Sequence, residues 1–284
     1  MRYKAEHITT YSYQAAVAHC LSEAHLIPRT FTGQRVIEAK VDVTPNPATS
    51  VRRTDYYGNA VDTFSIFERH DKFIVKSTSI VDVDAKSFSA LPTISWEDAR
   101  AYLTAHPTLE SLAAYEFVFD SPFVAASPAL RAYGAPSFAK GVPLADAVID
   151  LSQRIHAQFS YKPKSTSIDV PLQEVLVRRR GVCQDFAHVM IGVVRSYHLA
   201  ARYVSGYLRS GAKFLGAEAS HAWVSVFIPG HGWLDLDPTN NVLPSDGHVT
   251  VAWGRDYGDV TPVKGISLGG GGQTVEVAVR VVPA

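Results

Sequence analysis

The chain has 284 residues, 46% of them hydrophobic and 19% charged, which sets it among globular proteins with room for one large domain or two modest ones. Its 27 basic and 27 acidic residues cancel, so it lacks the electrostatic footprint for nucleic acid or an anionic membrane, and neither is expected as a partner. Two cysteines, Cys20 and Cys183, make no disulfide framework, residues 1–7 show no secretory leader, and no window reaches the ~18 apolar residues of a membrane span, so a cytoplasmic protein is expected.

Residues 1–88 read as a β-rich N-terminal domain. Tyr3, Ala5, His7, Thr9 and Tyr11 alternate with more polar neighbours, the period of a half-buried strand. Residues 34–43 alternate again and stop at Pro45-Asn46-Pro47. Residues 51–57 and 60–68 flank Gly58-Asn59, a hairpin signal, and 72–83 adds a further strand. Short strands separated by turns predict a β-sandwich. This part holds no catalytic cluster, so its expected role is structural, or it shapes a binding site for the rest.

Residues 89–284 read as a second domain, helical over 89–200 and an antiparallel sheet over 201–284, which makes the chain α+β. Ser95-Trp96-Glu97-Asp98 looks like a helix start with acids in its first turn. The firmest helix of this region is 144–159, with Leu144, Ala147, Val148, Leu151, Ile155 and Phe159 on one face. Residues 162–168 form a polar loop, and 169–179 a short helix leading into Gly181. From Phe186 the apolar residues Val189, Met190, Val193, Val194 and Tyr197 mark a helix with one face in a core. The period then drops to two: strands are expected at 202–209, 220–228 and 233–237, with two more around Gly269-Gly270-Gly271-Gly272, a flexible hairpin loop.

Three residues carry candidate chemistry. Cys183 sits at or just before the start of the helix that runs through Phe186, where unpaired N–H groups and the positive dipole end favour a thiolate. Alone, such a cysteine is more often a small buried hydrophobe. Thiol catalysis also needs a base beside the sulfur and a third group to orient it. His221 and Asp237, on neighbouring strands, offer both, although His221 also fits an edge position and Asp237-Pro238-Thr239 an ordinary turn. The pair must share a face. That requires an odd connection, with Phe227 opposite Trp233 or Ile228 opposite Gly232, because a one-residue slip flips every side chain.

The string GVCQDFAH, then ARYVSGYL, SHAW and GWLDLDPTN, resembles the bacterial branch of the transglutaminase-like superfamily: papain-related cysteine enzymes, proteases among them, with a Cys, His, Asp triad in that chain order. The opening MRYKAEHITTYSY, the segment Asp55 to Asn59 and the stretch Trp253-Gly254-Arg255-Asp256-Tyr257 extend the resemblance over nearly the whole chain, least well between about 90 and 140. His198-Leu199-Ala200 stands in place of the branch's glycine-proline turn.

The resemblance implies an N-terminal β domain followed by a papain-like core of helices on an antiparallel sheet. It makes Cys183 the nucleophile, His221 the base and later acid, and Asp237 the orienting carboxylate, in preference to Asp235. The Cys183 N–H is one oxyanion donor, Tyr161 a candidate second, and Gln184, Trp223 and Trp233 candidate pocket residues. His188, about 140° around the helix from Cys183, is not expected to meet the thiol. The implied reaction is attack on a peptide or protein amide through a thioester, ending in hydrolysis or transamidation. No calcium-loop pattern occurs, so no metal or other cofactor is expected. The rival readings are a metal site of Cys183, His188, His221 and Asp237, which lacks paired short spacings, and a non-catalytic peptide- or protein-binding module on the same fold.

Overall fold

The computed structural model describes residues 1–88, 90–105, 108–163 and 170–284; from residue 164 the expected polar loop lies outside them, as does the first residue of the short helix expected at 169–179. Five strands open the chain: β1 (Arg2–Ala24), β2 (Gln34–Thr44), β3 (Thr49–Thr54), β4 (Ala60–Ile66) and β5 (His70–Val83). Helices α1 (Trp96–Ala105), α2 (Leu109–Tyr115), α3 (Pro128–Gly134) and α4 (Leu144–Gln158) follow. Then come β6 (Ser160–Tyr161), α5 (Leu172–Arg178), β7 (Arg180–Gly181) and α6 (Cys183–Ser196). The chain closes with β8 (Ala201–Leu208), β9 (His221–Ile228), β10 (Gly232–Leu236), β11 (His248–Gly254), β12 (Val263–Gly269) and β13 (Gln273–Pro283).

The 23-residue β1 is the spine of the N-terminal part. Tyr3, Ala5, His7 and Thr9 are buried along one face, as their alternation requires. On one edge of β1 lie β5 and β4 end to end, with β2 and β3 outside them. The antiparallel strands expected here therefore form, but as one seven-stranded sheet curled around Val17, Cys20, Phe64, Ile66 and Phe73 rather than as two facing sheets.

The other edge of β1 carries a correction. β12 and β13 do not join the sheet of the second part: Tyr3 pairs with Pro283, Tyr13 with Gln273 and Ala24 with Val263. The sheet expected over 201–284 ends at β11, in the order β10-β9-β8-β11, and β11 is a strand that the sequence reading missed. Its free edge would expose unpaired amides, and two side chains from the N-terminal part cover it. Gln34 donates to the Thr250 carbonyl at 2.7 Å and accepts the Thr250 N–H at 2.8 Å. Asn59 does the same for Trp253, at 2.9 and 3.0 Å. Both carboxamides imitate a paired strand. Asn59→Ala strips Trp253 of both partners in a fully buried place, so a loss of about 2–3 kcal/mol is expected, read as a lower urea midpoint with an unchanged m-value.

Ser95 caps α1, its Oγ accepting the Asp98 N–H at 3.1 Å, with Glu97 and Asp98 in the first turn. The helix that matters most is α6. Its expected single buried stripe is exceeded: from Asp185 to Ser196 every residue is buried, because α6 packs on β8 and β9 on one side and on α3, α4 and α5 on the other. Among the described residues no helix is long and apolar enough to cross a membrane.

Candidate active site

Cys183 is the first residue of α6, so its N–H has no acceptor within the helix. The helix start is set by Asp185, whose carboxylate accepts the Val182 N–H at 2.8 Å. Gly181 makes that possible: a Cβ at this position would overlap the Asp185 carboxylate. β6 and β7 pair in parallel, with Tyr161 opposite Gly181 and the Lys162 N–H on the Gly181 carbonyl at 2.8 Å. This two-residue pairing brings Tyr161 to the thiol's neighbourhood, where burial, then Cys183 and Asp237, push its phenol up to about 12. It is a neutral hydrogen-bond donor at any ordinary pH.

The β9–β10 connection has the odd register expected: Gly232 pairs with Ile228 and Trp233 with Phe227. His221 Nε2 lies 2.8 Å from Asp237 Oδ2. The pair is buried, at 1% and 0% exposure. Burial disfavours both charges, yet each partner wins over it. His221 is raised to about 10 by Asp237 and Cys183 against desolvation, and Asp237 is held far below the carboxylate range by His221 and His248 against the same cost. The second ring nitrogen, Nδ1, is buried without a hydrogen-bond partner. Cys183 raises the same imidazole and lines the same cleft of about 440 Å³. The loop between β8 and β9 closes over the ring: Gly216, at φ +84°, would place a Cβ 3.0 Å from His221 Nδ1 and 3.3 Å from the Tyr161 hydroxyl.

Asp237 has more partners than the sequence suggests. Oδ2 also accepts Asn240 Nδ2 at 2.8 Å and His248 Nε2 at 3.2 Å, while Oδ1 accepts the N–H groups of Thr239 and Asn240 at 3.0 and 3.1 Å. The turn reading and the carboxylate reading of Asp237-Pro238-Thr239 are thus both met by one side chain. His248 arrives from β11 and had no local signal; Asn240 sits in the DPTN string, where an Asx-type turn is legible. Asp235 is committed elsewhere, to Lys86 Nζ at 2.6 Å and to the Ser225 hydroxyl.

The pocket expectations divide. Gln184 lines the cleft beside Cys183, and so does Tyr161. Trp223 does not wall the thiol; it is fully buried behind His221, ring centroids 6.4 Å apart, in the space left by Gly206 opposite His221. Trp233 is not at the cleft. It shares the face of His221 but lies six residues further along β9, about 20 Å at the strand rise, packed on Phe117 and Phe227 with Arg202 over its ring. His188 turns away from Cys183 and accepts the Tyr257 N–H at 3.2 Å, so the metal-site residues are not brought together.

Residues 3–82 match the model of the bacterial transglutaminase-like N-terminal region, and residues 132–238 that of the transglutaminase-like superfamily. An uncharacterized protein of Mycobacterium tuberculosis is 37% identical over 99% of this chain and 93% of its own length. A protein-glutamine gamma-glutamyltransferase of Pseudomonas aeruginosa is 36% identical over 106 residues, 34% of this chain and 16% of that one. The solved structure of a Cytophaga hutchinsonii protein, provisionally described as a cysteine protease, superposes with a TM-score of 0.77 over 99% of this chain and 90% of that one at 21% identity, and shares the fold.

Proposed function

The chain belongs to the transglutaminase-like superfamily, and from that premise we propose that it is a cysteine-dependent amide hydrolase or acyltransferase acting on peptide or protein substrates. One observation carries the reading. His221 is clamped through Nε2 to a buried carboxylate at 2.8 Å, while Nδ1 is left without a hydrogen-bond partner on a ring that Cys183 influences directly.

In this reading His221 takes the Cys183 proton at Nδ1, and the imidazolium so formed is stabilised by Asp237. The thiolate sulfur bonds to the amide carbonyl carbon, and the oxyanion meets the Cys183 N–H and the Tyr161 hydroxyl. The C–N bond breaks as His221 returns the proton to the departing nitrogen, leaving a thioester on Cys183. A second nucleophile, its proton taken by His221, attacks the thioester: water gives hydrolysis, a primary amine gives transamidation. Two unpaired cysteines suit a reducing compartment, and we place the protein in the cytoplasm.

Iodoacetamide labelling near pH 6 tests the activated thiol. The expected result is that Cys183 reacts at least about tenfold faster than a free thiol and that His221→Ala removes the advantage. Equal rates in all three cases would sink the reading. Glutamine-bearing peptides with and without an amine acceptor, compared between wild type and Cys183→Ala, then tell hydrolysis from transfer.

A further inference from the structure

The last strand of the chain leaves a main-chain edge open beside the thiol. β13 pairs with β1 on one side, Thr9 opposite Val277 and Tyr11 opposite Val275. Its other side is covered near the C-terminus by the segment between β8 and β9. The Val279 N–H donates to the Glu218 carbonyl at 2.9 Å. The Val281 N–H donates to the Ser210 hydroxyl at 2.9 Å, and the Val281 carbonyl accepts the Ser210 N–H at 2.9 Å. Odd-numbered residues of β13 therefore turn their main-chain groups away from β1, because these directions alternate along a strand. The inward phase is even-numbered: the Gln14 N–H donates to the carbonyl of Gly272, one residue before β13, at 2.9 Å.

The same alternation puts the N–H and C=O groups of Val275 and Val277 on the open side. Among the described residues nothing pairs with them there. Both valines are exposed, at 48% and 42%, and line the cleft together with Cys183 and His221. Glu218 and Val279 lie outside the cleft lining, whereas Ala219 and Val277 belong to it, so the cover over the edge ends where the cleft begins. An open sheet edge is usually blunted by proline, charge, a bulge or a covering loop. Positions 275 and 277 are valines, and the β1–β13 register runs unbroken through them.

We infer that this edge holds the main chain of the substrate: an extended peptide segment adds to β13 as a further strand, and two of its residues, i and i+2, exchange N–H···O bonds with Val275 and Val277. Pairing of this kind takes its affinity from the main chain and leaves sequence choice to alternate side chains. Side chains of the added strand on the same face as Val275 and Val277 turn into the cleft. The substrate class that fits is an unstructured stretch of protein, a chain terminus or an open loop, without proline at the pairing positions. A free amide lacks the main chain, and a helix has already spent its own. A second copy of this chain would bring a whole sheet edge to a cleft of about 440 Å³. Calling the occupant a substrate rests on the cysteine-enzyme reading above.

The experiment measures binding, so it is separate from that reading. Acetyl-Thr-Val-Gln-Val-Thr amide is titrated calorimetrically into the Cys183→Ala protein, beside two analogues, one N-methylated at both valines, the other at the glutamine and both threonines. An added strand turns one of these sets of N–H groups toward β13 and the other away. One analogue is therefore expected to bind about tenfold or more weaker than the parent, and the other within about threefold of it. On the protein side, Val277→Pro deletes only an outward N–H, a change that edge strands tolerate. It is expected to weaken the parent peptide about tenfold, whereas Val277→Ala, which keeps the N–H, costs no more than about threefold. Thermal melts verify folding, and if Val277→Pro does not fold, the two analogues decide alone. No binding of the parent peptide, equal weakening by both analogues, full affinity in a folded Val277→Pro, or an equal loss in Val277→Ala overturns the inference. So does a dimer in sedimentation that Val277→Pro dissolves, which would give the edge to a second copy. A failed Cys183 labelling test, with the analogue pattern intact, would instead overturn the catalytic reading and leave a module that binds extended peptides.

Discussion

Asp237→Ala is expected to destabilise the protein by about 3–5 kcal/mol, the cost of stripping one partner from a buried ion pair. The mutation leaves His221 and His248 side chains, the Asn240 amide and two backbone N–H groups without their acceptor in a place with no exposure. Asp237→Asn separates stability from chemistry. Its carboxamide oxygen can still accept the two backbone N–H groups. Its NH2 then faces His221 Nε2, a donor meeting a donor, unless the imidazole moves its proton to Nδ1. That tautomer presents N–H to Cys183 and can no longer take the thiol proton. A wrongly placed proton of this kind has cost a serine-enzyme triad a factor on the order of 10⁴ in turnover. The expected result is a protein destabilised less than Asp237→Ala, because Oδ1 keeps its two backbone N–H groups, that turns over on the order of 10³–10⁴ times more slowly. Urea unfolding and steady-state kinetics on the best peptide read both. Near-wild-type turnover in Asp237→Asn would refute the role given to Asp237.

What the sequence reveals, and where it stops, follows from the range of each interaction. The face that His221 and Asp237 share is legible because so short a connection leaves few registers, and only the odd ones, such as the three residues between Ile228 and Gly232, put both side chains on one side. The buried row Tyr3, Ala5, His7, Thr9 is legible because alternation is local. The same alternation misleads about Trp233: period two reports a face, not a distance along the strand, and six residues carry the indole out of the cleft. Pairing of Tyr3 with Pro283 leaves no local trace at all, so the return of the last hairpin to β1 is invisible beforehand. With it goes the second wall of the cleft, where Val275 and Val277 face the thiol's side. His248 is hidden for the same reason, since its contact with Asp237 depends on β11 lying beside β8. Local periodicity thus finds the elements that carry Cys183, His221 and Asp237, while the far wall of the cleft is assembled from residues some 270 positions apart.

Stability should peak near pH 6.5 and fall on both sides, for opposite reasons. On the alkaline side the relevant group is His221, raised to about 10 in the folded protein by Asp237 and Cys183 despite burial. Unfolded, it titrates near 6.5. Below that pH both states carry the proton and its contribution is complete; between about 6.5 and 10 the unfolded state has released the proton and the folded state has not, so stability declines as pH rises. On the acid side burial lowers His7 and His188 to about 4. From about 6.5 down to 4 the unfolded chain gains protons that the folded one refuses, so stability declines as pH falls. One proton changes stability by at most ~1.4 kcal/mol per pH unit, so with two groups against one the acid limb should be the steeper. Asp237, held low, stays ionised across this window and adds no slope. Urea midpoints from pH 4.5 to 9.5, measured in the Cys183→Ala background so that the thiol's own proton does not enter the balance, read the profile. His221→Gln should flatten the alkaline limb and leave the acid one, and His7→Phe should lower the acid slope by about half while leaving the alkaline one. An alkaline limb that persists in His221→Gln would mean that His221 is not charged in the folded protein, and the ion pair at the centre of the site would have to be redrawn as a neutral hydrogen bond.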